Sequence, residues 1–390
     1  MKRIAVITAT RAEYGLLFPL IKELRKYENS KFVVELIVTG THLTEEYGKT
    51  KENIINDGIR IDQEIHIPVK SDSRLDIANN QAETLRKFAQ LFNDIQYDAV
   101  VILGDRYEML MVAVAATDMH IPIIHLYGGD TTEGAMDECI RHSITKMSYL
   151  HFATNEESRR RIIQMGENPK RVFNYGATGT DNILKSEKLT KKEALASVGL
   201  PYDCKYAVCT YHPVTLEEGN IELLIMNFLK ALSYFEDVQF IITKSNADQG
   251  GMLINRVLER EAGNFSNIHI FSSLGRKRYL SLIKYSEAVI GNSSSGIMEA
   301  PVFHIPTVNI GDRQKGRSQS ESIINCDTDV HSIVEAIKYA LSDEMKMLCC
   351  HVQNPYGDGN ASPKIAKKIM ETLQTGMKLK KEFYNIEIND

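Results

Sequence analysis

The stretch AVVILGDRYEMLMVAVAATDMHIPIIHL, residues 99–126, contains a strand, a helix and a second strand in immediate succession. Ala99–Leu103 is apolar on both faces, as in a strand covered by helices on both sides of its sheet. Residues 109–119 are apolar around most of the helix, which predicts that the helix is buried. Residues 121–126 are again a short β-rich run. This order predicts a βαβ unit in a parallel sheet.

The same alternation continues along the whole chain. Further strands are predicted at 4–8, 32–39, 171–175, 206–210, 238–242, 268–271, 288–290 and 307–310, and further helices at 16–27, 73–92, 138–149, 221–234 and 276–286. The pattern starts again after a charged stretch at 185–192. The sequence therefore predicts an α/β protein of two Rossmann-like, doubly wound domains whose strand ends face one cleft.

The domain limits follow from the same pattern. We place the N-terminal domain at 1–180 and the C-terminal domain at 181–365. Residues 366–390 form a C-terminal helix and tail, and the sequence leaves open whether they cross back to the first domain. The tail carries Lys378, Lys380 and Lys381, and a basic terminal segment of this kind is expected to be frayed.

The composition is that of an ordinary globular protein, with 390 residues, of which 43% are hydrophobic and 25% charged. A net charge of −5 argues against nucleic acid as the main partner. No apolar run reaches the roughly 20 residues that span a bilayer, and the apolar start is too short for a signal peptide. The six cysteines form no Cys-x-x-Cys pair. We therefore expect free thiols in a cytoplasmic protein without a membrane partner.

Ligands bind outside the carboxyl ends of the strands in open α/β sheets, so the residues that follow each strand are the first candidates for a site. The first strand leads into Thr8-Ala-Thr-Arg11-Ala-Glu-Tyr-Gly15, where a dinucleotide-binding protein has Gly-x-Gly-x-x-Gly. Because the motif is missing, we expect no nicotinamide or flavin, and we expect no other cofactor or metal. Arg11 either binds an anion or pairs locally, and its position alone does not decide between the two.

Acidic residues follow two successive strands of the first half. Asp105 comes directly after the strand at 99–103, where it could face a ligand or cap the next helix. The following strand enters a glycine-rich loop and a helix that carry Asp130, Asp137, Glu138 and Arg141. Arg141 is one helical turn beyond Asp137 and could pair with it. Such a carboxylate cluster is either a solvated loop before a well-capped helix or an acid–base pair in a site.

Polar turns also follow the strands of the second half. His212, after the strand at 206–210, could donate a proton or bind an anion. The serine turn, which we define as Ser293, Ser294, Ser295 and Gly296, enters a helix and is suited to a diphosphate. Glu299 could bind a ribose diol or complete a capping box. The remaining candidates, which follow other strands, are Asn246, Arg313 and Arg317. The two arginines either neutralise the same phosphates or are solvated surface.

Together and in this order, these motifs resemble the UDP-N-acetylglucosamine 2-epimerase family, and its hydrolysing branch in particular. The resemblance covers nearly the whole chain. It is carried by Gly104-Asp105-Arg106, His125-x-x-Gly-Gly-Asp130, Asp137-Glu138-x-x-Arg141-His142 and Gly291-Asn-Ser-Ser-Ser-Gly-x-x-Glu299. Thr39-Gly-Thr-His42 stands where the non-hydrolysing branch usually has Thr-Gly-Gln-His. The resemblance implies a glycosyltransferase-B-like fold that uses no nicotinamide.

The resemblance also implies a reaction, the conversion of UDP-N-acetylglucosamine to N-acetylmannosamine and UDP, the first step toward sialic-acid-type sugars. The steps are elimination to 2-acetamidoglucal and addition of water. It places the nucleotide on the serine turn, Glu299, Arg313 and Arg317, with Arg11 from the other domain. Among the matching positions, we expect Asp105 and Asp137 to transfer protons, Asp130 to bind the sugar and His212 to assist the phosphate or leaving group. Many members carry glutamate where Asp130 stands, so its side chain is one methylene shorter.

Other functions remain open on the sequence alone. The same chemistry could act on a UDP-2,4-diacetamido-trideoxy-hexose or on GDP-N-acetylglucosamine, leading to legionaminic-type acids. A non-hydrolysing epimerase, a glycosyltransferase and a non-catalytic nucleotide-sugar sensor are further alternatives, although a sensor has no use for four carboxylates near one loop. The family also implies a homo-oligomer, either a dimer or a tetramer.

Overall fold

The computed structural model describes residues 1–29, 31–45, 50–69, 73–132, 136–213, 221–245 and 251–387. The chain divides into two compact units. The first consists of Met1–Asn182 together with Pro355–Asp390, and the second of Ile183–Asn354. Residues 355–365, which the sequence analysis assigned to the C-terminal domain, thus belong to the first unit.

The return to the first unit occurs early because the peptide before the last helix already bonds to that unit. The carbonyl of Tyr356 accepts a hydrogen bond from the backbone N–H of Ala177 at 2.7 Å and lies 3.3 Å from the Thr180 hydroxyl, which donates to it. These contacts fix Tyr356 beside Ala177 and Thr180, before the last helix begins.

The first unit contains a parallel sheet with helices on both sides. Its strands are β1 (Lys2–Thr8), β2 (Phe32–Thr39), β3 (Gln63–Ile65), β4 (Ala99–Leu103), β5 (Ile123–Leu126), β6 (Leu150–Ala153) and β7 (Val172–Asn174). Its helices are α1 (Arg11–Arg25), α2 (Lys51–Asn56), α3 (Arg74–Asp94), α4 (Tyr107–Asp118), α5 (Met136–Met147), α6 (Glu156–Gln164) and α15 (Ala361–Thr375), while α7 (Thr178–Lys185) spans the division between the units. The strand order is β3-β2-β1-β4-β5-β6-β7.

The second unit contains another parallel sheet. Its strands are β8 (Lys205–Thr210), β9 (Val238–Thr243), β10 (Ile268–Phe271), β11 (Ala288–Gly291), β12 (Thr307–Ile310) and β13 (Ile323–Cys326), in the order β10-β9-β8-β11-β12-β13. Its helices are α8 (Lys191–Ala196), α9 (Ile221–Leu232), α10 (Gly251–Glu261), α11 (Gly275–Tyr285), α12 (Ser294–Met298), α13 (Val330–Ala340) and α14 (Asp343–His351). The predicted two-domain α/β fold is confirmed.

The strand order reverses once in each sheet, and this reversal locates the candidate site. In the first sheet the chain runs from β1 outward to β3 and then resumes at β4 on the other side of β1. In the second sheet the same reversal separates β8 from β11. Ligands of doubly wound sheets bind at such switch points, where loops diverge from adjacent strand ends.

Both faces of the first sheet are buried, as the continuous apolar runs predict. Ile4 and Val6 of β1 belong to the core that packs against α1 and α15, whereas Ala5 and Ile7 belong to the core under α3 and α4. The apolar helix α4 is buried in this second core, as its composition predicts. Strands β3, β6 and β13 were not predicted, and they have only three or four residues each. Runs this short show too little periodicity to be recognised.

Helix α1 begins five residues earlier than predicted, because Thr10 and Glu13 form a capping box. The Thr10 hydroxyl accepts the backbone N–H of Glu13 while the Glu13 carboxylate accepts the backbone N–H of Thr10. The helix start at Arg11 follows β1 after only two residues. The N-terminus of α1 is therefore fixed at the switch point of the first sheet.

The C-terminal tail is anchored, so the expectation that it is frayed is wrong for Lys381. The ammonium of Lys381 donates to the carbonyls of Lys146 and Ser148 at 2.7 Å each and to Glu167 at 2.9 Å. Glu167 is 1% exposed. Burial raises the pKa of Glu167, but hydrogen bonds from His151, Lys146 and Lys381 outweigh it and lower the pKa to about 2. A buried carboxylate therefore holds the tail against the end of α5.

We expect Lys381→Met to lower the free energy of unfolding by about 1–3 kcal/mol, since it removes a donor from a buried carboxylate. Because the pKa of Glu167 is depressed, this stabilisation is present above pH 5 and is lost as the pH falls toward 2. Urea unfolding at pH 7 and pH 3 measures both effects. Lys380→Met, at an exposed neighbour, is the control and should change little. Equal losses in both variants would contradict the anchoring role.

Across the described ranges, no helix combines the length and the apolar character required to cross a membrane. The six cysteines are free thiols.

Candidate active site

In the first unit the candidate site is built around the ion pair between Arg141 and Asp105. Asp105 follows β4 directly, and Arg141 lies on α5, which follows β5. The Arg141 Nε donates to Asp105 Oδ2 at 2.8 Å, and a second guanidinium nitrogen contacts the same oxygen. Arg141 is 5% exposed, whereas the side chain of Asp105 keeps 28% exposure. A buried arginine therefore orients a carboxylate that solvent or a ligand can reach.

The pairing expected from helical spacing does not form. Arg141 bonds to Asp105 rather than to Asp137, which is exposed in the first turn of α5. The remaining donors of Arg141 reach the carbonyl of Asp130 at 2.8 Å and the hydroxyl of Thr132 at 3.1 Å. The guanidinium thus bonds to Asp105, Asp130 and Thr132, and the Asp137 carboxylate stays at the surface.

The same guanidinium and Glu138 hold the loop that carries Asp130. A carboxylate oxygen of Glu138 accepts the backbone N–H of Thr132 at 2.6 Å. The Asp130 carboxylate accepts the N–H of Thr131 at 3.0 Å. Asp105, Asp130, Glu138 and Arg141 therefore belong to one hydrogen-bonded group at the β4 and β5 ends. Residues 133–135 of the same loop lie outside the described residues.

His125, which was not among the predicted site residues, fixes the turn that carries Asp105. Its Nε2 is 2.8 Å from the carbonyl of Gly104 and therefore donates to it, while Nδ1 is 3.2 Å from the Thr145 hydroxyl. Burial lowers the pKa of His125 to about 3, so the ring is neutral. Gly104 has a φ of +77°, a conformation that glycine adopts without strain. A neutral buried histidine thus holds the turn before Asp105.

Arg11 and Arg106 bring positive charge to the switch point between β1 and β4. Arg11 is the exposed first residue of α1. Arg106 donates to Glu108 through Nε at 3.0 Å and through a terminal nitrogen at 2.7 Å. Glu108 is fully buried and belongs to the first turn of α4. The available cation for an anionic ligand on this edge is therefore Arg11, since Arg106 is already paired.

In the second unit Asn292, which follows β11, bonds across the switch point to His212, which follows β8. The backbone N–H of His212 donates to the Asn292 side-chain oxygen at 2.7 Å, and the Asn292 amide donates to the carbonyl of His212 at 2.8 Å. The carbonyl of Asn292 in turn accepts Arg313 at 3.1 Å and Gln314 at 2.9 Å. The His212 ring is 3.2 Å from the Ser245 hydroxyl. The structure thus brings His212 and Arg313 to the start of the serine turn.

Inside the serine turn the side chains have different tasks. Ser293 caps α12 by accepting the backbone N–H of Ser295. The Ser295 hydroxyl donates to Glu299, and the Tyr279 hydroxyl donates to Ser295 at 3.0 Å. Burial raises the pKa of Glu299. Burial also raises the pKa of Tyr279, to about 12, and the nearby Glu299 carboxylate adds to this shift. Glu299 is therefore oriented by Ser295, not by a capping box with Ser293.

Four predicted positions remain to be placed. Ser294 and Gly296 lie in the first turn of α12, partly and fully buried respectively. Arg317 lines a surface cavity of about 470 Å³ together with Gly311 and Asp327. Asn246 lies outside the described residues.

The chemistry available differs between the units. The first offers reachable carboxylates around a buried guanidinium, which is suited to proton transfer at a polar ligand. The second offers serine hydroxyls, an imidazole and arginines, which are suited to a phosphate-bearing ligand. Within the described ranges, His, Cys, Asp and Glu side chains form no group of three that could hold a metal ion.

Polar residues at the switch points of two doubly wound parallel sheets define the class of ligand-binding α/β proteins. The sequence pattern of the UDP-N-acetylglucosamine 2-epimerase family matches residues 23–370. The chain belongs to this family, which confirms the resemblance drawn from the sequence.

Relatives cover nearly the whole chain. It is 39% identical to the GDP/UDP-N,N'-diacetylbacillosamine 2-epimerase (hydrolyzing) of Campylobacter jejuni, over 99% of each chain. It is 37% identical to the polysialic acid biosynthesis protein P7 of Escherichia coli, over 99% of this chain and 98% of the relative. It is 33% identical to the UDP-N,N'-diacetylbacillosamine 2-epimerase (hydrolyzing) of Legionella pneumophila, over 93% and 94%.

The fold is shared with a solved structure of the UDP-GlcNAc 2-epimerase from Neisseria meningitidis bound to UDP-GlcNAc. The TM-score is 0.78 at 19% identity, and the match covers 95% of this chain and all of the other. At this identity the likeness establishes the fold alone.

Proposed function

We propose that this protein is a hydrolysing 2-epimerase that converts a UDP-activated 2-acetamido sugar and water to the free 2-epimer and UDP. The observation that carries the proposal is the Arg141–Asp105 pair, a reachable carboxylate oriented by a buried guanidinium at the β4 end. Family membership and two relatives named as hydrolyzing support it.

The first half of the reaction is an elimination. A base removes the C2 proton while the C1–O bond breaks, so that UDP departs and the C1–C2 double bond of 2-acetamidoglucal forms. The C2 proton is weakly acidic, so stabilisation of the departing diphosphate must assist the base. We assign that stabilisation to the serine turn, Arg313, Arg317 and Arg11. His212 assists the leaving group.

The second half is a hydration. Water supplies a hydroxyl to C1, and a proton returns to C2 on the opposite face, which inverts that carbon. Two proton-transfer groups are therefore required, and we assign them to Asp105 and Asp137. Asp105 is oriented by Arg141, whereas Asp137 is exposed in the first turn of α5. We assign Asp130 and Glu138 to sugar binding, since Arg141 and Thr132 tie them to the same loop.

Two sugars are candidates. The relatives at 39% and 33% identity carry N,N'-diacetylbacillosamine in their names, which favours a 2,4-diacetamido-trideoxy sugar. A relative from Neisseria meningitidis, 31% identical over 88% of this chain, is named UDP-N-acetylglucosamine 2-epimerase, which favours the sugar expected from the sequence.

Incubation in D₂O with either UDP-sugar distinguishes the reactions. We expect UDP and a free 2-epimer with one deuterium at C2, because the abstracted proton exchanges with solvent before C2 is reprotonated. NMR identifies both products. The sugar that turns over faster identifies the substrate, and the GDP form of each sugar tests the nucleotide. A nucleotide-linked epimer as the end product would instead indicate the non-hydrolysing reaction. UDP release only with an acceptor sugar would indicate a glycosyltransferase.

A further inference from the structure

The carboxyl group of Glu13 lies at the N-terminus of α1 with only one of its two oxygens used. Glu13 Oε2 accepts the backbone N–H groups of Ala9 and Thr10 at 2.9 Å each and the Thr10 hydroxyl at 3.3 Å. Oε1 is buried and has no hydrogen-bond partner in the described part of the chain. The residue as a whole is only 6% exposed. A buried polar atom left without a partner requires an explanation.

The charges around Glu13 come from the neighbouring helix α4. Arg106 favours its carboxylate form, and the buried Glu108 opposes it, while Arg106 is already committed to Glu108 through two hydrogen bonds. Burial is the largest influence and raises the pKa of Glu13 to about 7. A neutral carboxyl has one O–H donor. Since Oε2 already accepts three hydrogen bonds, that proton is on Oε1.

This carboxyl sits where a phosphate is expected. The N-terminus of a helix attracts anions, and Arg11, the exposed first residue of α1, adds a full positive charge. A carboxylate two residues further on would repel the same anion, whereas the neutral acid would not. The free energy of anion binding is therefore linked to the protonation of Glu13.

We propose that Glu13 is a proton-linked element of the nucleotide site, whose carboxyl group becomes more fully protonated, by uptake from solvent, when the diphosphate binds at the N-terminus of α1. The inference rests on the proposed function, because the ligand is the nucleotide diphosphate of the substrate.

Calorimetry with UDP tests the linkage. Titrations at pH 8 in HEPES and in Tris, which differ in ionisation enthalpy, give the number of protons exchanged on binding. At this pH the phosphates of UDP are already ionised, since a terminal phosphate titrates near pH 6. If bound UDP raises the proton affinity of Glu13 about tenfold, uptake is about 0.4 proton per UDP. We expect Glu13→Gln to abolish this uptake, because the amide cannot titrate.

The chain offers a matched control in a second capping box. Glu193 on α8 accepts the backbone N–H and hydroxyl of Thr190 in the same arrangement, but its side chain is exposed and hydrogen bonds lower its pKa. Glu193→Gln therefore alters an equivalent helix start without a buried, unpartnered oxygen. We expect it to leave the proton uptake unchanged.

The sign of the effect gives a second readout on the unaltered protein. Because the pKa of Glu13 is raised to about 7, the residue is fully protonated well below pH 7 and loses its proton above it. Affinity for UDP should fall by about fivefold between pH 7 and pH 9 under the same assumption. Glu13→Gln should remove this dependence.

The possible failures are distinguishable. UDP binding without proton uptake at pH 8, or equal uptake in Glu13→Gln, would overturn the role of Glu13 and leave the proposed function standing. Failure of UDP to bind the unaltered protein would overturn both.

Discussion

Asp105→Asn is expected to lower kcat for the hydrolytic epimerisation by about 10²–10⁴, the usual contribution of one acid–base group. The amide is almost the same size as the carboxylate but cannot exchange a proton with C2. The side chain keeps an oxygen that can accept from Arg141, whose guanidinium is also bonded to Asp130 and Thr132. We therefore expect the loop to keep its conformation and the dissociation constant for UDP to remain unchanged within error.

The control for this experiment lies at the other end of the same strand. Asp98 comes just before β4 and accepts the backbone N–H of Arg3 and the ammonium of Lys2, both at 2.8 Å. It thus carries the same functional group with comparable partners, but away from the carboxyl ends of the strands. Asp98→Asn should retain turnover. Unchanged kcat in Asp105→Asn would remove Asp105 from the mechanism.

Asp181→Ala is expected to produce the largest loss of stability. Asp181 is fully buried, and its two oxygens accept the backbone N–H groups of Ala361 at 2.9 Å and Ser362 at 2.6 Å. Without the carboxylate, both donors at the start of α15 remain buried without this acceptor. The cost is about 2–4 kcal/mol, at about 1–2 kcal/mol for each unsatisfied group, the lower part of the usual range. For a unit of this size Tm should fall by about 5–15 °C.

Two variants show whether burial is responsible. Asp181→Asn keeps one acceptor oxygen and should lose only part of the stability. Asp329→Ala removes another helix cap, at the N-terminus of α13. The Asp329 carboxylate accepts the N–H of Ser332 at 3.0 Å and is exposed. Water replaces an exposed cap, so its loss should cost about 1 kcal/mol. Differential scanning calorimetry of the four proteins measures these differences. A similar Tm for Asp181→Ala and Asp329→Ala would contradict the explanation.

Local patterns predicted the order of the strands and helices, because strands that are buried on both faces are continuously apolar and differ from amphipathic helices. The same patterns located the candidate residues, since polar groups directly after a strand lie at the edge of the sheet. They also located the acidic group of the first half and the serine turn of the second, and both lie within residues 23–370, which match the family.

The partners of these residues could not be predicted in the same way. Helical spacing favoured a pair between Arg141 and Asp137, yet Arg141 bonds to Asp105, which is 36 positions away. His125 and Tyr279 orient Asp105 and Glu299 through Gly104 and Ser295. His125 begins one of the motifs that carry the resemblance, but that motif does not indicate its contact with Gly104, and no local motif marks Tyr279. The unpartnered oxygen of Glu13 likewise depends on burial and not on a local pattern.

The sequence by itself determined which elements form and which polar residues stand at their ends, because secondary structure depends on periodicity and capping within a few residues. Only the tertiary structure decided which of those residues meet, which are buried and which keep an oxygen free. These properties depend on how β1, β4 and β5 lie side by side in one sheet and β8 and β11 in the other. Hydrogen bonds reach only about 3 Å, so their partners are chosen by that packing and not by distance along the chain.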